Sequence, residues 1–585
     1  MKTKSLILAG LALAAAAACN KTPEETPVLN GGDAYLSVKI GYANPSTRGT
    51  SATPEFYYGT ANENKISGNA DFFFYTDGGA YFTHASQTID GKANGVDSET
   101  ADNIEWVGDG VVVLKGLTST ATPKYMAVVL NGSSDLINNL KGKSITEAQA
   151  YITDEYASST TAGSSVLDKF TMTSTSFDNS DVNSGYYCAT LTAAMFKETE
   201  AEAAATTNTD VAVAYVERLA VKASLAISAA KSTVNSTEVY ALGTDTEVYD
   251  GTSSASYTNP ELYVKINGWG LNSTTKDSYT YKNIDASWTS DAASLGFTWN
   301  VPANFRSYWG KSTNYGLTAT STPAAYYPNM YANDASSKNY DASKNTLSYI
   351  SYNDCSATVS ENAYCRENTN TKDVLGNNNF SSAVTSVLLT AQVVDKNAAP
   401  VDLVIFEHKY YTKDGYFTFI LNRKADDVPY VLDAAAATTA YVKADASYLE
   451  IVNDGDAYIH VQFKDGTYFS DNAGTATDVA TVNAKWAKDA TLAEFYNEGR
   501  MYYNIPIEHL RNSGTYAKSN YNEADYGVVR NHWYNLDVTA IANIGHPVAV
   551  PDEPIVPSDQ DTKKYFVAAK INILSWKVVK QSVEL

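Results

Sequence analysis

YFVAAKINILSWKVVKQSVEL, Tyr565–Leu585, closes the chain, and its reading decides how the rest is understood. Val567, Ala569, Ile571 and Ile573 alternate with Ala568, Lys570 and Asn572. Alternation of this kind marks a strand with one buried face. Trp576, Val578, Val583 and Leu585 carry the apolar content on to the last residue. A short strand does not stay ordered alone in water, because its apolar face and backbone groups need a sheet. Ahead of it lies HPVAVPDEPIVPSDQDTKK, with prolines at 547, 551, 554 and 557. A Pro-rich spacer is stiff and extended, so the sequence predicts a strand held out from the body. Strand donation between subunits is the first expectation.

The opposite end reads MKTKSLILAGLALAAAAAC. Lys2 and Lys4 precede an apolar run, Ser5 to Ala18, that is shorter than the ~20 residues a membrane-spanning helix needs. It closes on Ala16-Ala17-Ala18-Cys19, a pattern similar to a bacterial lipobox. Export is expected, with lipid on Cys19 tethering the chain to a membrane without spanning it. Asn20–Thr26 then reads as a short polar tether. Next comes AYLSVKIGY, Ala34–Tyr42, in which Leu36, Val38 and Ile40 share one face of a strand. It runs into ANPSTRGTS, a polar loop around the lone Arg48, and such a loop is open to a protease that prefers arginine.

At 585 residues the chain is long enough for two or more domains. Its 44% hydrophobic and 18% charged content indicates globular folding. The 43 tyrosines and many threonines favour strands, while Ser, Asn and Gly favour turns, so the chain reads as mostly β. Net charge is −22; removing residues 1–48 takes away Lys2, Lys4, Lys21, Lys39 and Arg48 with Glu24, Glu25 and Asp33, leaving −24. Nucleic acid is disfavoured as a partner, because its binding needs basic surfaces.

Strands are expected at Asp71–Tyr75, Val111–Leu114, Lys124–Leu130 and Leu219–Ile227 in the first half. In the second half they are expected at Glu261–Ile266, Thr385–Val394, Asp402–Phe406, Tyr416–Leu421, Tyr448–Ile451, Ala457–Phe463, Met501–Ile507 and Trp533–Ile541. A Ser/Thr-rich shift over Ser228–Tyr257 marks a domain boundary.

Catalytic patterns fail one after another. The six histidines include no pair at i, i+4, and there is no HExxH or GxSxG. Gly310-Lys311-Ser312-Thr313 imitates the end of a phosphate loop, but Phe305 stands where the turn needs glycine. Asn453-Asp454-Gly455-Asp456 lacks the ordered ligands of a calcium loop and reads as a β-turn. No metal or other cofactor is indicated. Beyond Cys19 there are Cys188, Cys355 and Cys365. Cys355 and Cys365 are close enough in sequence to bridge a loop in an oxidising compartment; the alternative is three small buried residues.

Several segments, taken in order, resemble the fimbrillins of Bacteroidales, the stalk subunits of type V pili. They are YLSVKI before Arg48, ERLAVKASLAI (Glu217–Ile227), LYVKINGW (Leu262–Trp269), RSYWGKSTNY (Arg306–Tyr315) and YCRENT (Tyr364–Thr369). YYNIPI (Tyr502–Ile507), YGVVRNHWYNLDVTAI (Tyr526–Ile541) and the tail complete the series. The resemblance implies two transthyretin-like β-sandwich domains plus a C-terminal donor-strand extension. It implies a signal peptide over 1–19, a propeptide over 20–48, sandwiches over 49–232 and 233–560, and a donor strand over 561–585. By the same resemblance, Cys19 is lipidated and a trypsin-like protease cuts between Arg48 and Gly49. The strand bearing Leu36, Val38 and Ile40 then leaves, and the tail of another subunit fills the groove. The implied partners are identical subunits, anchor and tip fimbrillins, surface ligands on host or bacterial cells, and, before maturation, the outer membrane. Two alternatives remain: an accessory or tip fimbrillin acting as an adhesin, and a surface glycan-binding lipoprotein, which the Tyr and Trp content would suit.

Overall fold

The computed structural model describes residues 33–43, 59–67, 69–87, 90–91, 104–118, 121–162, 164–175, 184–205, 210–242, 246–284, 310–315, 347–359, 361–375, 380–435, 439–455, 457–486, 490–509, 523, 525–541, 543–548, 550–557 and 577–584. Cys19, Arg48, Gly49, Val567, Ala569, Ile571, Ile573, Trp576 and Leu585 lie outside them.

The alternation in Asp33–Ala43 becomes a strand inside the first sheet. In order, that sheet runs Tyr81–Gln87, Ala70–Tyr75, Tyr125–Leu130, Met172–Thr175, Ala212–Arg218, Asp33–Ala43, Ile104–Lys115 and Asp90–Gly91. Side chains from strands far apart in this order, such as Phe72, Val128 and Val112, share one core with Leu36 and Val38. The opposite faces of Ala70–Tyr75 and Tyr125–Leu130 meet two short helices. Ser133 caps Ser134–Leu140, and Ser144 with Glu147 forms a capping box on Ile145–Gln149. Leu136, Leu140 and Ile145 from these helices pack on Phe73, Tyr75 and Val129.

The chain leaves this sheet after Arg218. The next strand, Val221–Ile227, joins a second sheet with Asn362–Cys365, His532–Ala540 and Lys577–Glu584. The chain thus passes from the first sheet to the second across Leu219–Ala220. A third sheet, built on Tyr263–Asn272, Ser386–Val394 and Arg500–Pro506, faces the second. Leu225, Leu536, Trp269, Leu389 and Tyr503 from the two layers form one core, which is the packing of a β-sandwich. In LYVKINGW a bulge falls between Ile266 and Gly268. A Cβ at Gly268 would stand 2.1 Å from the carbonyl oxygen of Cys355, so glycine is required there.

A further core lies within the second half. A seven-stranded sheet, including Leu403–Phe406, Tyr458–Phe463 and Ala493–Tyr496, packs against helices Lys413–Arg423 and Val479–Lys485. This unit is an addition to the two sandwiches expected. It also corrects one element: YFTFIL, Tyr416–Leu421, is helical and not a strand. Thr412 accepts a hydrogen bond from the Gly415 amide at the helix start, and Tyr416, Phe417 and Ile420 are buried at helical spacing.

The cysteines take the second of the two readings offered above. Cys188, Cys355 and Cys365 are buried, and Cys355 and Cys365 are not joined by a disulfide. Cys355 packs with Tyr352 and Leu388, whereas Cys365 sits in the sandwich core opposite Val221, so the two thiols belong to different clusters. Burial pushes both thiols up to about 12. Thiol reagents at mildly alkaline pH are expected to label none of the three in the folded protein and all three after denaturation, read by mass spectrometry.

Candidate assembly groove

The N-terminal strand occupies a slot, not an edge. It pairs antiparallel with Ile104–Lys115, from Asp33 opposite Lys115 to Ala43 opposite Ile104. On its other side it pairs parallel with Ala212–Arg218, from Val38 opposite Ala212 to Tyr42 opposite Val216, and antiparallel with Phe196–Lys197. Ala34 and Leu36 are 0% exposed and Val38 is 1% exposed. They pack among Val112, Leu114, Phe196, Ala214 and Val216. Ile40 is paired through its backbone with Gly108 and Ala214. Taking this strand out would leave two facing rows of unpaired amide and carbonyl groups above an apolar floor.

The tail is placed differently from a free arm. Lys577–Glu584 lies at the rim of the second sheet, parallel to His532–Ala540, with Val578 opposite Trp533 and Val583 opposite Val538. Among the described residues it has one neighbouring strand, His532–Ala540. The spacer is also partly seated. His546–Pro547 pairs with Arg500–Pro506, and the Ile555 amide donates to the Ile350 carbonyl over 2.9 Å. Asn272 Nδ2 donates to the Ile555 carbonyl over 2.9 Å, and Ile555 and Pro557 are buried. The extended spacer expected from the prolines is therefore anchored as far as Pro557, because apolar residues between the prolines find pockets on the body.

Where the two halves of the chain meet, charged residues from several of the quoted segments converge. Lys222 Nζ lies 2.7 Å from Glu63 Oε1, and Lys282 Nζ lies 2.7 Å from Glu217 Oε2. Arg530 donates from Nε to Glu367 Oε1 over 3.0 Å, and its Nη2 also reaches Glu367 and the Tyr279 carbonyl. Arg218 donates from Nε to the Glu63 carbonyl over 3.1 Å and from Nη1 to Asn531 Oδ1 over 3.0 Å. Burial opposes ionisation of Glu63, but the Lys222 ammonium and the Thr60 amide outweigh it and hold the carboxyl below its ordinary value. Burial pushes the Glu217 carboxyl up, against the opposing charges of Lys282 and Arg530.

These residues were missed as a group by motif search. The signal was present: Glu217, Arg218 and Lys222 interrupt the apolar run ERLAVKASLAI, Glu367 sits in YCRENT and Arg530 in VVRNHWY. A charge inside an otherwise buried run implies a buried partner.

A cleft of about 530 Å³ opens beside this cluster, lined by Thr60, Lys222, Ser224, Trp533 and Asn535. Its cation already has Glu63, and Trp533 Nε1 donates to Ser224 Oγ over 2.7 Å. Ser312 and Thr369 of the apparent phosphate-loop remnant bond each other, with the Ser312 amide donating to Thr369 Oγ1 over 2.9 Å. Among the described residues no group of three His, Cys, Asp or Glu side chains is placed to hold a metal ion, and no helix is long and apolar enough to cross a membrane.

The N-terminal strand thus lies at the centre of one sheet and the C-terminal strand at the rim of another. Residues 494–582, which run from the seven-stranded sheet into the tail, match the family model of the major fimbrial subunit protein type IV, fimbrillin, C-terminal. That stretch of the chain is accordingly similar to the C-terminal part of a fimbrillin, a major fimbrial subunit. No curated protein matches the sequence. Solved structures resembling it include a proposed cell adhesion protein from Parabacteroides distasonis ATCC 8503, at 12% identity over 94% of this chain and 98% of that one, with a TM-score of 0.33. Another is a fimbrilin from Porphyromonas gingivalis W83, at 11% identity over 94% of this chain and 97% of that one, with a TM-score of 0.30. A fimbrial assembly protein from Parabacteroides distasonis ATCC 8503 is 9% identical over 74% of this chain and 97% of that one, with a TM-score of 0.25.

Proposed function

We propose that the chain is a stalk subunit of a surface pilus, matured by loss of its N-terminal strand and polymerised by strand exchange. The observation that carries this reading is the central position of Asp33–Ala43, with Leu36 and Val38 in the core and Arg48 following it in a polar stretch of sequence. A terminal strand at the middle of a sheet can be cut free without severing any later connection. In this scheme the precursor is exported and lipidated at Cys19, then cut between Arg48 and Gly49. The vacated slot accepts Tyr565–Leu585 of the next subunit, by main-chain hydrogen bonds for affinity and alternate side chains for fit. A head-to-tail contact that does not close on itself grows into a filament. Anchor and tip fimbrillins complete the pilus, and its surface meets host or bacterial ligands. A tip subunit needs a slot but no donor strand, so the alternating tail favours the stalk over the tip.

Trypsin digestion of the purified precursor, followed by N-terminal sequencing and electron microscopy, tests the reading. Filaments appearing together with an N-terminus at Gly49 are expected. A cleanly cut protein that stays monomeric at high concentration would sink it.

A further inference from the structure

The segment that follows the Arg48 loop is tied down by a buried cluster of its own. The Glu63 side chain is 2% exposed, as is that of its partner Lys222. Glu63 Oε1 also accepts from the Tyr364 hydroxyl over 2.8 Å, and Oε2 accepts from the Thr60 amide over 2.7 Å. Three different elements thus converge on one carboxylate: the 59–67 segment, strand Val221–Ile227 and strand Asn362–Cys365. Arg218, 2% exposed, closes the arrangement by reaching the Glu63 carbonyl and the Asn64 side chain. Further along, the Ser67 amide donates to Asn131 Oδ1 over 2.7 Å, and Asn131 Nδ2 donates back to the Lys65 carbonyl over 2.8 Å.

Arg218 is the last residue of strand Ala212–Arg218, which forms one wall of the slot. That wall pairs with the N-terminal strand over residues 212–216 and with Met172–Thr175 over residues 215–218. Removing the N-terminal strand therefore takes away the described partner of residues 212–214. The end of the wall at Glu217–Arg218 keeps its neighbour and its buried ions.

We propose that Glu63 is a positioning residue for assembly: with Lys222 and Arg218 it braces the 212–218 wall and the chain after Arg48 once the N-terminal strand has gone. The proposal rests on the maturation reading above and deepens it, since it names what keeps the slot open. The physical reason is the cost of disorder. A slot that collapsed after cutting would have to be rebuilt by each incoming strand, at about 1–2 kcal/mol per residue re-ordered. The wall's last residue, Arg218, is hydrogen-bonded to the 59–67 segment, and the buried Glu63–Lys222 ion pair pins that segment to the strand that follows the wall, so moving the wall would disturb buried charges. Pre-organisation of this kind is a general route to tight binding.

The test is amide hydrogen exchange on the full chain before and after trypsin treatment, in the unchanged protein and in Glu63→Gln. Glutamine keeps the shape and removes the charge that Lys222 and Arg218 face. A residue that only stabilised the fold would speed exchange over 212–218 by the same factor in both states. A brace gives a small factor before the cut and one about tenfold larger after it, because beforehand the N-terminal strand also holds the wall. Equal factors, or unchanged exchange after the cut, overturn the proposal. Leu36→Asp in the full chain supplies a second arm that needs no protease, since a carboxylate at that buried position unseats the strand. On that background Glu63→Gln is expected to give the same selective rise. A chain that trypsin leaves intact at Arg48 counts against maturation, and the Leu36→Asp arm still decides the role of Glu63.

Discussion

A chain ending at Lys564 is expected to fold, to be cut by trypsin as the full chain is, and to form no filaments at all. The loss of assembly is complete because only the donor is missing. The folded body survives because little of it depends on the tail. Among the described residues Lys577–Glu584 has one neighbouring strand, and the spacer ahead of it is held by its own contacts as far as Pro557. Among the side chains described, the three main cores draw on residues from Ala34 to Ile544. Thermal midpoints of the two proteins are expected to agree within about 5 °C, on the scale that about 1 kcal/mol shifts a midpoint by 2–4 °C in domains of 150–250 residues. A mixing experiment sharpens the prediction. The shortened chain still has a slot, so once cut it accepts a donor and passes none on. Added to cut full-length protein, it should shorten filaments in proportion to its share. Filaments of normal length from the truncated chain alone would refute strand exchange through this tail.

That outcome depends on the slot being ready. A fully buried Leu, Ile or Val side chain contributes about 1.5–3 kcal/mol, and ordering each residue of the incoming strand costs about 1–2 kcal/mol. The two are comparable, so a strand that had also to reorder its host would bind weakly. The Glu63 cluster and the central pairing of the slot are thus one problem seen from two sides.

Much of this was legible in the residues. Alternating Tyr, Val, Ile and Phe placed strands where Ala70–Tyr75, Tyr125–Leu130, Ser386–Val394, Tyr458–Phe463 and Arg500–Pro506 are found, because side chains in a strand must alternate faces. Tyr416–Leu421 was misread for the same reason: short aromatic runs fit either period, and only the Thr412 cap separates them. The seven-stranded sheet and the helices around Phe463 and Trp486 had no composition signal, since their core is assembled from segments spread over Tyr249–Phe495. The seated spacer was missed because proline predicts stiffness and says nothing of where the chain lies. The buried ions were hidden by distance: Glu63 and Lys222, or Glu217 and Arg530, are far apart in sequence, and a buried charge declares its partner only in space.

Arg530→Met is expected to lower unfolding stability by about 3–5 kcal/mol, the usual penalty for breaking a buried ion pair on one side. Arg530 is 0% exposed. Its guanidinium serves Glu367, approaches Glu217 Oε1 at 4.0 Å and donates to the carbonyls of Thr280 and Tyr279 over 3.2 and 2.7 Å. Methionine fills much of the volume and leaves those acceptors without a donor. The deficit should depend on pH. Burial raises the Glu217 carboxyl above its ordinary value, and Lys282 and Arg530 oppose that rise. A carboxyl raised on folding contributes stability below its unfolded value and loses it as pH climbs through the folded one. Removing Arg530 deletes one opposing charge and drives the folded value higher, so the variant suffers more at about pH 8 than at about pH 5. Urea titrations at both pH values check this, and parallel stability curves would exclude a role for Glu217 ionisation. Arg530→Lys keeps the charge but not the planar fork, and it should fall between the two. The consequence reaches assembly as well as stability. His532–Ala540 begins just beyond Arg530 and pairs with Lys577–Glu584, so an arginine lost from the core should also loosen the strand on which the tail rests.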